Sequence, residues 1–350
     1  MALQSSGQIS LNDIHVELGE TSGTQVSFND ADVRGLISAS SESEIEMADF
    51  YGASSAPTDM TSQGTLNGFN YRLQATASDF ISSGGKLRIP STFYCYSDDI
   101  TVAALTIDIP CEIIVDGIIM GRGGSGTGSG RYGQIRNAQA GSDAIKINSG
   151  VSGVTITVNS GAYVYGGGGG GAGGAGSSGM NGSAGCAGGG GGAGGGEGGW
   201  GLGNNYTGYG NTPTAGGAIA AAGADHFSSR GGNGGSGGGS GGGSNAVLLN
   251  DANAGPGGGG GGRKVTGGFT ASGGNGSVAD GGDGYHSSTG QNAKGTHLSG
   301  AGGGGYGQNG GNQPFHSYSN QHLGASGGKA INDNGQTYTL SNSGNILGGT

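Results

Sequence analysis

Apolar and β-branched residues are concentrated between residues 86 and 165, where they form short runs or alternate with polar residues. Residues 87–89, 105–109 and 112–115 have the two-residue period and the branched side chains that are typical of strands. Each run is short, and polar or turn-forming residues separate it from the next. The pattern therefore predicts several short strands in this region.

One strand–turn–strand unit recurs along the chain. A strand, a turn containing Asn or Asp, a second strand and a glycine follow one another in residues 115–121, 158–166 and 340–348. Recurrence of a single unit is typical of structures in which similar coils stack on one another. The repeat predicts a β-coil in which each coil leads into a glycine segment.

The region before these strands has a weaker pattern. Residues 56–68 are polar and contain Pro57 and glycines, which predicts a linker. The apolar residues of segment 69–81 have a loose helical spacing, which predicts a short helix that ends at Gly84.

Residues 1–55 contain a short internal repeat. Segments 10–16 and 27–33 each begin with a serine and an apolar residue, and an acidic residue lies three positions after the serine. This pattern suits a helix N-cap with an acidic first turn. A third segment, residues 44–52, carries a few apolar residues. Because a large core cannot be built from so few, the region is expected to fold against a partner.

From Tyr165 to Gly311 the hydrophobic pattern gives way to glycine. The chain has 92 glycines in 350 residues, with contiguous runs such as Gly166–Gly171 and Gly257–Gly262. Collagen is excluded because glycine does not recur at every third position and there are only 6 prolines. A calcium-binding β-helix is excluded because its nonapeptide does not recur. A flexible linker and a packed bundle of extended glycine rods remain.

Backbone hydrogen bonding decides whether such a bundle is feasible. Extended glycine rods have three residues per turn and rise ~3.1 Å per residue, and without side chains they can pack closely. Ordering glycine costs roughly 0.5–1 kcal/mol more per residue than ordering alanine. A net hydrogen bond contributes about 1 kcal/mol, so nearly every backbone group needs a partner. Only 10% of residues are charged, which favours packed rods over a disordered tract.

Together these patterns predict a mainly β and irregular fold with little α-helix. Stacked β-coil strands are followed by a glycine-rich polyglycine II helix bundle. The hydrophobic content of 32% is too low for one conventional core, so the core is expected to be local or shared between subunits.

The N-terminal pattern also resembles that of a known group of proteins. Residues 6–14 (SGQISLNDI), residues 27–37 (SFNDADVRGLI) and the acidic-apolar segment ending in DFYG at 49–52 resemble the attachment segment of tail and receptor-binding proteins of tailed bacteriophages. The strand–turn–strand–glycine unit and the segment 327–335 resemble parts of phage tail fibre and host-specificity proteins. The resemblance implies a tail fibre protein or adhesin of the virion.

With this resemblance, the chain divides into five predicted regions. They are a virion-attachment segment (1–55), a connector with a short helix and the first strands (56–104), a β-coil domain (105–165), a polyglycine II bundle with distal loops (166–311), and closing strands (312–350). The expected partners are other tail or baseplate proteins and a host cell-surface glycan or protein. A homotrimer is expected, because the cores are small and because the resemblance implies one.

Aromatic and histidine residues of the glycine tract lie in a few inserts between glycine runs. If the runs are rods, the inserts are loops at the rod ends, where a rigid scaffold can present a recognition surface. The predicted receptor-binding residues are Trp200, Tyr206, Tyr209, His226, Phe227, Tyr285, His286, Phe315 and Tyr318. The alternative is that these side chains only close the ends of the bundle. The predicted virion-attachment residues are Ile9, Leu11, Ile14, Val16, Phe28, Val33, Phe50 and Tyr51.

Several other functions find little support in the sequence. The net charge of −10 and the absence of a basic run argue against nucleic-acid binding. No apolar stretch is long enough to cross a membrane, and no signal peptide is evident. There is no phosphate-binding loop or nucleophile elbow, and the histidines lack a metal-binding spacing. We therefore predict no cofactor, metal or catalytic residue. A purely structural tail subunit is the main alternative, and a glycan depolymerase is less favoured.

Overall fold

A computed structural model describes residues 2–37, 39, 43–66, 69–126, 138–171, 191–192, 194, 196, 303–312 and 323–350. Its helices are α1 (Leu11–Glu17), α2 (Ala31–Leu36) and two 3₁₀ helices, Met47–Phe50 and Ala77–Asp79. Its strands are β1 (Thr58–Asp59), β2 (Gly64–Leu66), β3 (Phe69–Leu73), β4 (Ala75–Thr76), β5 (Lys86–Ile89), β6 (Phe93–Tyr96), β7 (Leu105–Ile107), β8 (Glu112–Val115), β9 (Ile118–Met120), β10 (Ile145–Ile147), β11 (Val154–Val158), β12 (Tyr163–Tyr165), β13 (Ile331–Asn332), β14 (Tyr338–Asn342) and β15 (Asn345–Leu347). The prediction of a mainly β fold with little helix is confirmed.

The N-terminal repeat forms three similar turns. The backbone N–H of Ser10 donates to Asp13 Oδ2 at 2.8 Å, and Ser10 Oγ accepts from the Asp13 N–H at 3.2 Å. This reciprocal pair is the predicted capping box of α1. In the second turn the Ser27 N–H donates to Asp30 Oδ2 at 2.7 Å. A third turn, at Glu46–Asp49, repeats this bond at 2.7 Å.

These turns close around a core of their own. Leu3, Ile9, Ile14, Val33 and Phe50 are buried together, and the ring of Phe28 stacks on that of Phe50 with 5.8 Å between centroids. Each buried side chain of this size contributes about 1.5–3 kcal/mol. The expectation that the segment needs a partner to bury its apolar residues is therefore wrong. Three short segments supply one core because their caps turn the chain back on itself.

The carboxylate of Glu17 joins this N-terminal segment to the chain that leads into β1. Glu17 Oε1 accepts from the Ser55 N–H at 3.0 Å and from Ser54 Oγ at 3.2 Å. Burial alone would raise the pKa of Glu17, but the hydrogen bond from Ser55, the positive charge of the amino terminus and the hydrogen bond from Ser54 together hold the pKa below its ordinary value. At neutral pH the ionised carboxylate therefore keeps both bonds.

Strands β1–β15 wind into a three-sided coil. The three sheets have the strand orders β1-β5-β8-β11-β14, β2-β3-β6-β9-β12-β15 and β4-β7-β10-β13. The second, third and fourth circuits each add one strand to each sheet. The first circuit adds β2 as well as β3 to the six-stranded sheet, and the fifth consists of β14 and β15. Strands of successive circuits pair in parallel. Among the described strands, only the β2–β3 hairpin that ends the six-stranded sheet is antiparallel. The predicted β-coil is confirmed.

The coil begins earlier in the sequence than the pattern predicted. Residues 56–68, expected to be a linker, contain β1 and β2. Segment 69–81, expected to be a helix, consists of β3, β4 and one 3₁₀ turn. The helical prediction is wrong because Tyr71 and Leu73 follow the two-residue period of a strand, and β3 pairs along its length with β6.

Branched side chains line the inside of the coil in rows. Leu87, Ile113 and Ile156 occupy paired positions of β5, β8 and β11, and none of them is exposed. Cys95 and Cys111 lie in the same core as free thiols. Burial raises the pKa of each to about 12, so both stay protonated at neutral pH.

Every glycine-rich segment leaves the coil at one corner. This corner lies between the six-stranded and the four-stranded sheet. The connection at this corner consists of Gln74 alone in the first circuit, of residues 97–104 in the second and of residues 121–144 in the third. In the fourth circuit it is residues 166–330, after which β13, β14 and β15 complete the coil. The long glycine tract is therefore an insertion into a continuous β-coil.

The described glycine segments bond to one another through their backbones. Gly166–Gly171 is a central segment that continues from β12 and is buried along its length. The N–H groups of Gly167 and Gly170 donate to the carbonyls of Ser142 and Gln139, both at 2.9 Å. The carbonyls of Gly167 and Gly170 accept from Gly328 at 2.7 Å and from Ala325 at 2.9 Å. The partners thus recur every third residue on both sides.

Neighbouring rods approach too closely for any side chain. A Cβ atom added at Gly167 would lie 1.9 Å from the carbonyl oxygen of Arg122, and one at Gly170 would lie 2.0 Å from that of Ser125. The obstacle in each case is backbone, which cannot move aside without breaking neighbouring hydrogen bonds. Glycine is therefore required at these positions by contact with the next rod.

Replacing Gly170 by alanine should lower the free energy of unfolding by about 1–3 kcal/mol, because the added methyl group overpacks the contact with Ser125. Urea unfolding would measure the change. The matched control is Gly349→Ala, whose added Cβ would meet only the side chain of Lys329, at an ordinary contact distance of 3.7 Å. Equal effects of the two substitutions would contradict close packing of the rods.

Candidate functional site

The structure places the foot of the glycine tract but not its predicted loops. All nine predicted receptor-binding residues, Trp200, Tyr206, Tyr209, His226, Phe227, Tyr285, His286, Phe315 and Tyr318, lie outside the described residues. Their role stays a prediction. The described residues show how the two ends of the tract are held on the coil.

Both ends of the tract are fixed at the same corner. The Gly166 N–H donates to the Leu347 carbonyl at 3.0 Å where the tract leaves β12. Where it returns, the Ala144 N–H donates to the Lys329 carbonyl at 2.9 Å. The carboxylate of Asp143 accepts from the Lys329 N–H at 2.8 Å and from Asn332 Nδ2 at 2.7 Å. The outgoing segment is therefore bonded to the fifth circuit, and the returning segment to the third.

An ion pair adds to this corner. The guanidinium of Arg122 bonds to the carboxylate of Asp98, and its Nη1 also donates to the Asp98 carbonyl at 2.9 Å. The backbone N–H of Arg122 donates to Ser142 Oγ at 2.8 Å. The corner loops of the second and third circuits are thereby joined. Arg122 and Asp98 have a structural role that their sequence positions did not reveal.

The outer face of the six-stranded sheet is aromatic and apolar. Its side chains include Tyr94, Tyr96, Ile118, Met120, Tyr163 and Tyr165. The outer face of the five-stranded sheet is instead polar, with Lys86 Nζ 3.5 Å from Glu112 Oε2 and with Arg88 bonded to Asp59. Burial raises the pKa of the Tyr94 and Tyr165 phenols, which therefore stay neutral.

One side chain of the glycine tract packs on this aromatic face. The ring of Tyr306 stacks on that of Tyr165 with 4.9 Å between centroids and 26° between planes. Only 1% of Tyr306 is exposed. Sequence analysis missed this contact because it considered aromatics only as loop residues. The alternation of tyrosines at 94 and 96, and again at 163 and 165, was the available signal of an outward aromatic face.

The predicted attachment residues divide by exposure. Ile9, Ile14, Val33 and Phe50 are buried in the N-terminal core, so they cannot contact a partner while that core is intact. Leu11 and Phe28 are half-buried against it. Val16 is 47% exposed and Tyr51 40% exposed. The sequence prediction included both the buried and the exposed residues, because apolar character alone does not show which side chains lie in the core and which lie on the surface.

Two kinds of site are not found in the part of the chain that the structure describes. There, no three His, Cys, Asp or Glu residues are grouped so that they could hold a metal ion. Nor does any helix among the described ranges have the length and apolar character needed to cross a membrane.

A family model of the phage tail fibre adhesin Gp38 matches residues 59–237, just over half of the chain. The chain belongs to the phage tail fibre adhesin Gp38 family. The match begins in β1, runs through β12 and continues into the glycine tract, whereas β13, β14 and β15 lie beyond it. Most of the coil and part of the tract therefore belong to the sequence unit that defines the family. Comparisons with curated proteins and with solved structures gave no significant match.

Membership of this adhesin family supports the resemblance seen in the sequence. It implies a receptor-binding role on a phage tail fibre and a location on the virion tail, where the protein meets the host cell. It also points to binding rather than to catalysis.

Proposed function

We propose that this adhesin is the receptor-binding tip of a tail fibre. Residues 1–55 attach it to the tail or baseplate, and the glycine tract presents receptor-binding loops to the host surface. The observation that carries the proposal is the mounting of the tract, which leaves and re-enters a rigid coil at one corner with its backbone groups bonded to each other. A scaffold of this kind suits loop display, because it holds loop ends at fixed positions.

We infer further that the described glycine segments are polyglycine II rods. Partners that recur every third residue are what a helix with three residues per turn requires. Antiparallel neighbours fit this arrangement as well as parallel ones. Gly167 and Gly170 bond to Ser142 and Gln139 in reverse order, whereas Gly121 and Gly124 bond to Tyr165 and Gly168 in the same order.

Attachment is proposed to use the surface of the N-terminal segment around Val16 and Tyr51. These are its exposed large apolar side chains among the described residues, whereas the other predicted residues support the fold beneath them. The expected homotrimer remains a prediction, but small cores no longer support it. The N-terminal segment and the coil each bury a core within one chain, so neither requires a second copy.

The alternatives differ in what they require. A purely structural subunit would have the same coil and attachment surface but would not bind host cells. A depolymerase would need paired carboxylates free for chemistry, yet those on the coil strands and corners make structural contacts. Asp108 accepts from the Ser78 N–H at 3.1 Å, and Asp116 accepts from Asn159 Nδ2 at 2.6 Å.

Replacing Trp200, Tyr206 and Tyr209 together by alanine should reduce adsorption of the phage to host cells by at least about tenfold, since aromatic anchors typically carry much of the energy of an interface. Virion yield and the amount of adhesin per virion should not change. Adsorption counts with purified virions would test this. Unchanged adsorption would contradict a receptor role for these three residues.

Replacing the exposed Val16 by aspartate should reduce incorporation of the adhesin into virions, because the charge must be desolvated at the attachment contact. The matched control is Val102→Asp, another exposed valine, which lies at the coil corner and is 37% exposed. Immunoblots of purified virions would measure incorporation. Equal incorporation of both variants and of the unaltered protein would contradict attachment through this surface.

A further inference from the structure

Because its hydrogen bonds repeat every third residue, a glycine rod can bond to its neighbours at more than one position along its axis. A rod that moves along its axis by three residues makes the same hydrogen bonds to its neighbours, because each backbone group is replaced by an equivalent one. In most proteins side-chain packing removes such alternatives. In a glycine bundle few side chains are present. Segments that continue directly from or into a strand are positioned by that strand, but the axial position of a segment joined to no strand must be fixed in another way.

Segment 303–312 shows this property clearly. Gly304 and Gly307 donate their N–H groups to Gly169 at 2.8 Å and to Gly166 at 2.7 Å, so both the donors and the acceptors are three residues apart. A turn follows, in which the Gln308 N–H donates to Gly305 at 3.0 Å. The chain then runs back along Ala325, which accepts from the Gly310 N–H at 2.8 Å.

The packed positions of this hairpin of rods are also three residues apart. A Cβ atom at Gly304, Gly307 or Gly310 would lie between 2.0 and 2.2 Å from backbone atoms of another residue. Outward movement by three residues would bring Gly307 into the place of Gly304, where its N–H could again bond to the Gly169 carbonyl. The bonds at the turn, from the Gly307 N–H to the Gly166 carbonyl and from the Gly169 N–H to the Gln308 carbonyl at 2.9 Å, would not be remade. Backbone bonding therefore selects the observed axial position only through these two bonds.

Movement toward the coil is blocked at the turn. A Cβ atom at Gly307 would lie 2.2 Å from Gly348 Cα, so the backbone of the turn already rests against the chain that follows β15. Movement away from the coil meets no such obstacle in the described backbone. Besides breaking the two bonds at the turn, it would withdraw the Tyr306 ring from its stack on Tyr165 and expose a side chain that is now 1% exposed.

We propose that Tyr306 is the positioning residue that fixes the axial register of the hairpin 303–312 on the coil. Its ring holds the hairpin against Gly348 and thereby sets where the hairpin, and any loops joined to it, lie relative to the coil. Withdrawal by one step of three residues would move the hairpin by about 9 Å at ~3.1 Å per residue. The effect of this register on receptor binding rests on the proposed function, whereas the register itself can be tested without it.

Distances between two spin labels test the register directly. One label is placed on exposed Asn309, within the hairpin, and the other on exposed Thr339 of β14, with Cys186 replaced by serine and with Cys95 and Cys111 buried. Because the first label removes the bond that Asn309 Oδ1 accepts from the Gly327 N–H at 3.1 Å, the doubly labelled protein with Tyr306 intact is the reference for every variant. The unaltered Tyr306 should give one distance. Tyr306→Ala should give a second population displaced by up to about 9 Å. Tyr306→Phe, which keeps the ring, and Gln308→Ala, two residues along, should each give one distance.

A second pair of labels within the coil, at exposed Ser152 and Thr339, shows whether the coil remains folded. It should give one unchanged distance in every variant. A single unchanged Asn309–Thr339 distance in Tyr306→Ala would overturn the proposal. Broad distances for both pairs would overturn it too, because Tyr306 would then support the whole fold and not one register.

Adsorption of phages that carry the same variants separates the register from the receptor role. Tyr306→Ala should reduce host adsorption at least about tenfold, and Tyr306→Phe should restore it. A displaced distance with unchanged adsorption would support the register role and contradict loop display by these rods. An unchanged distance with reduced adsorption would overturn the register role and leave the receptor role standing.

Discussion

Hydrogen bonding between backbones of separate glycine segments is the interaction on which the foot of the glycine tract depends. Gly166–Gly171 has no side chains to pack, and its N–H and carbonyl groups bond to four different stretches of the chain. Each net bond is worth about 1 kcal/mol, which is close to the extra entropic cost of ordering a glycine. Such a bundle is stable only where bonding is nearly complete, so a coil that fixes the first and last residues of each segment is essential.

The coil fixes the ends of the glycine segments because successive strands of the six-stranded sheet end at the same corner, one above another. The rods that continue from β9 and β12 therefore start side by side, and the Gly124 N–H already bonds to the Gly168 carbonyl at 2.8 Å. The returning segment enters β13, so the fourth circuit is closed by residues far along the sequence. Insertions of increasing length at this corner leave the paired strands unchanged.

Much of this arrangement could be predicted from the sequence, and the failures have physical reasons. Branched residues at a two-residue period identified strands, and the repeated serine–acid spacing identified the N-terminal caps. Tyr71 and Leu73 were assigned to a helix because apolar spacing in a short segment fits both periods. Ile14 and Val33 were assigned to a contact surface because the closure of three small turns into a core depends on tertiary packing. The contact of Tyr306 with Tyr165 joins residues far apart, and no local pattern indicates it.

Amide hydrogen exchange at Gly167 and Gly170 tests the central claim most directly. If the backbone groups of the glycine segments are saturated by one another, these amides should exchange as slowly as those of strand β11 within the coil, since exchange in both places requires the structure to open. Exchange at the rate of an unstructured peptide, with β11 still protected, would contradict a bonded glycine scaffold.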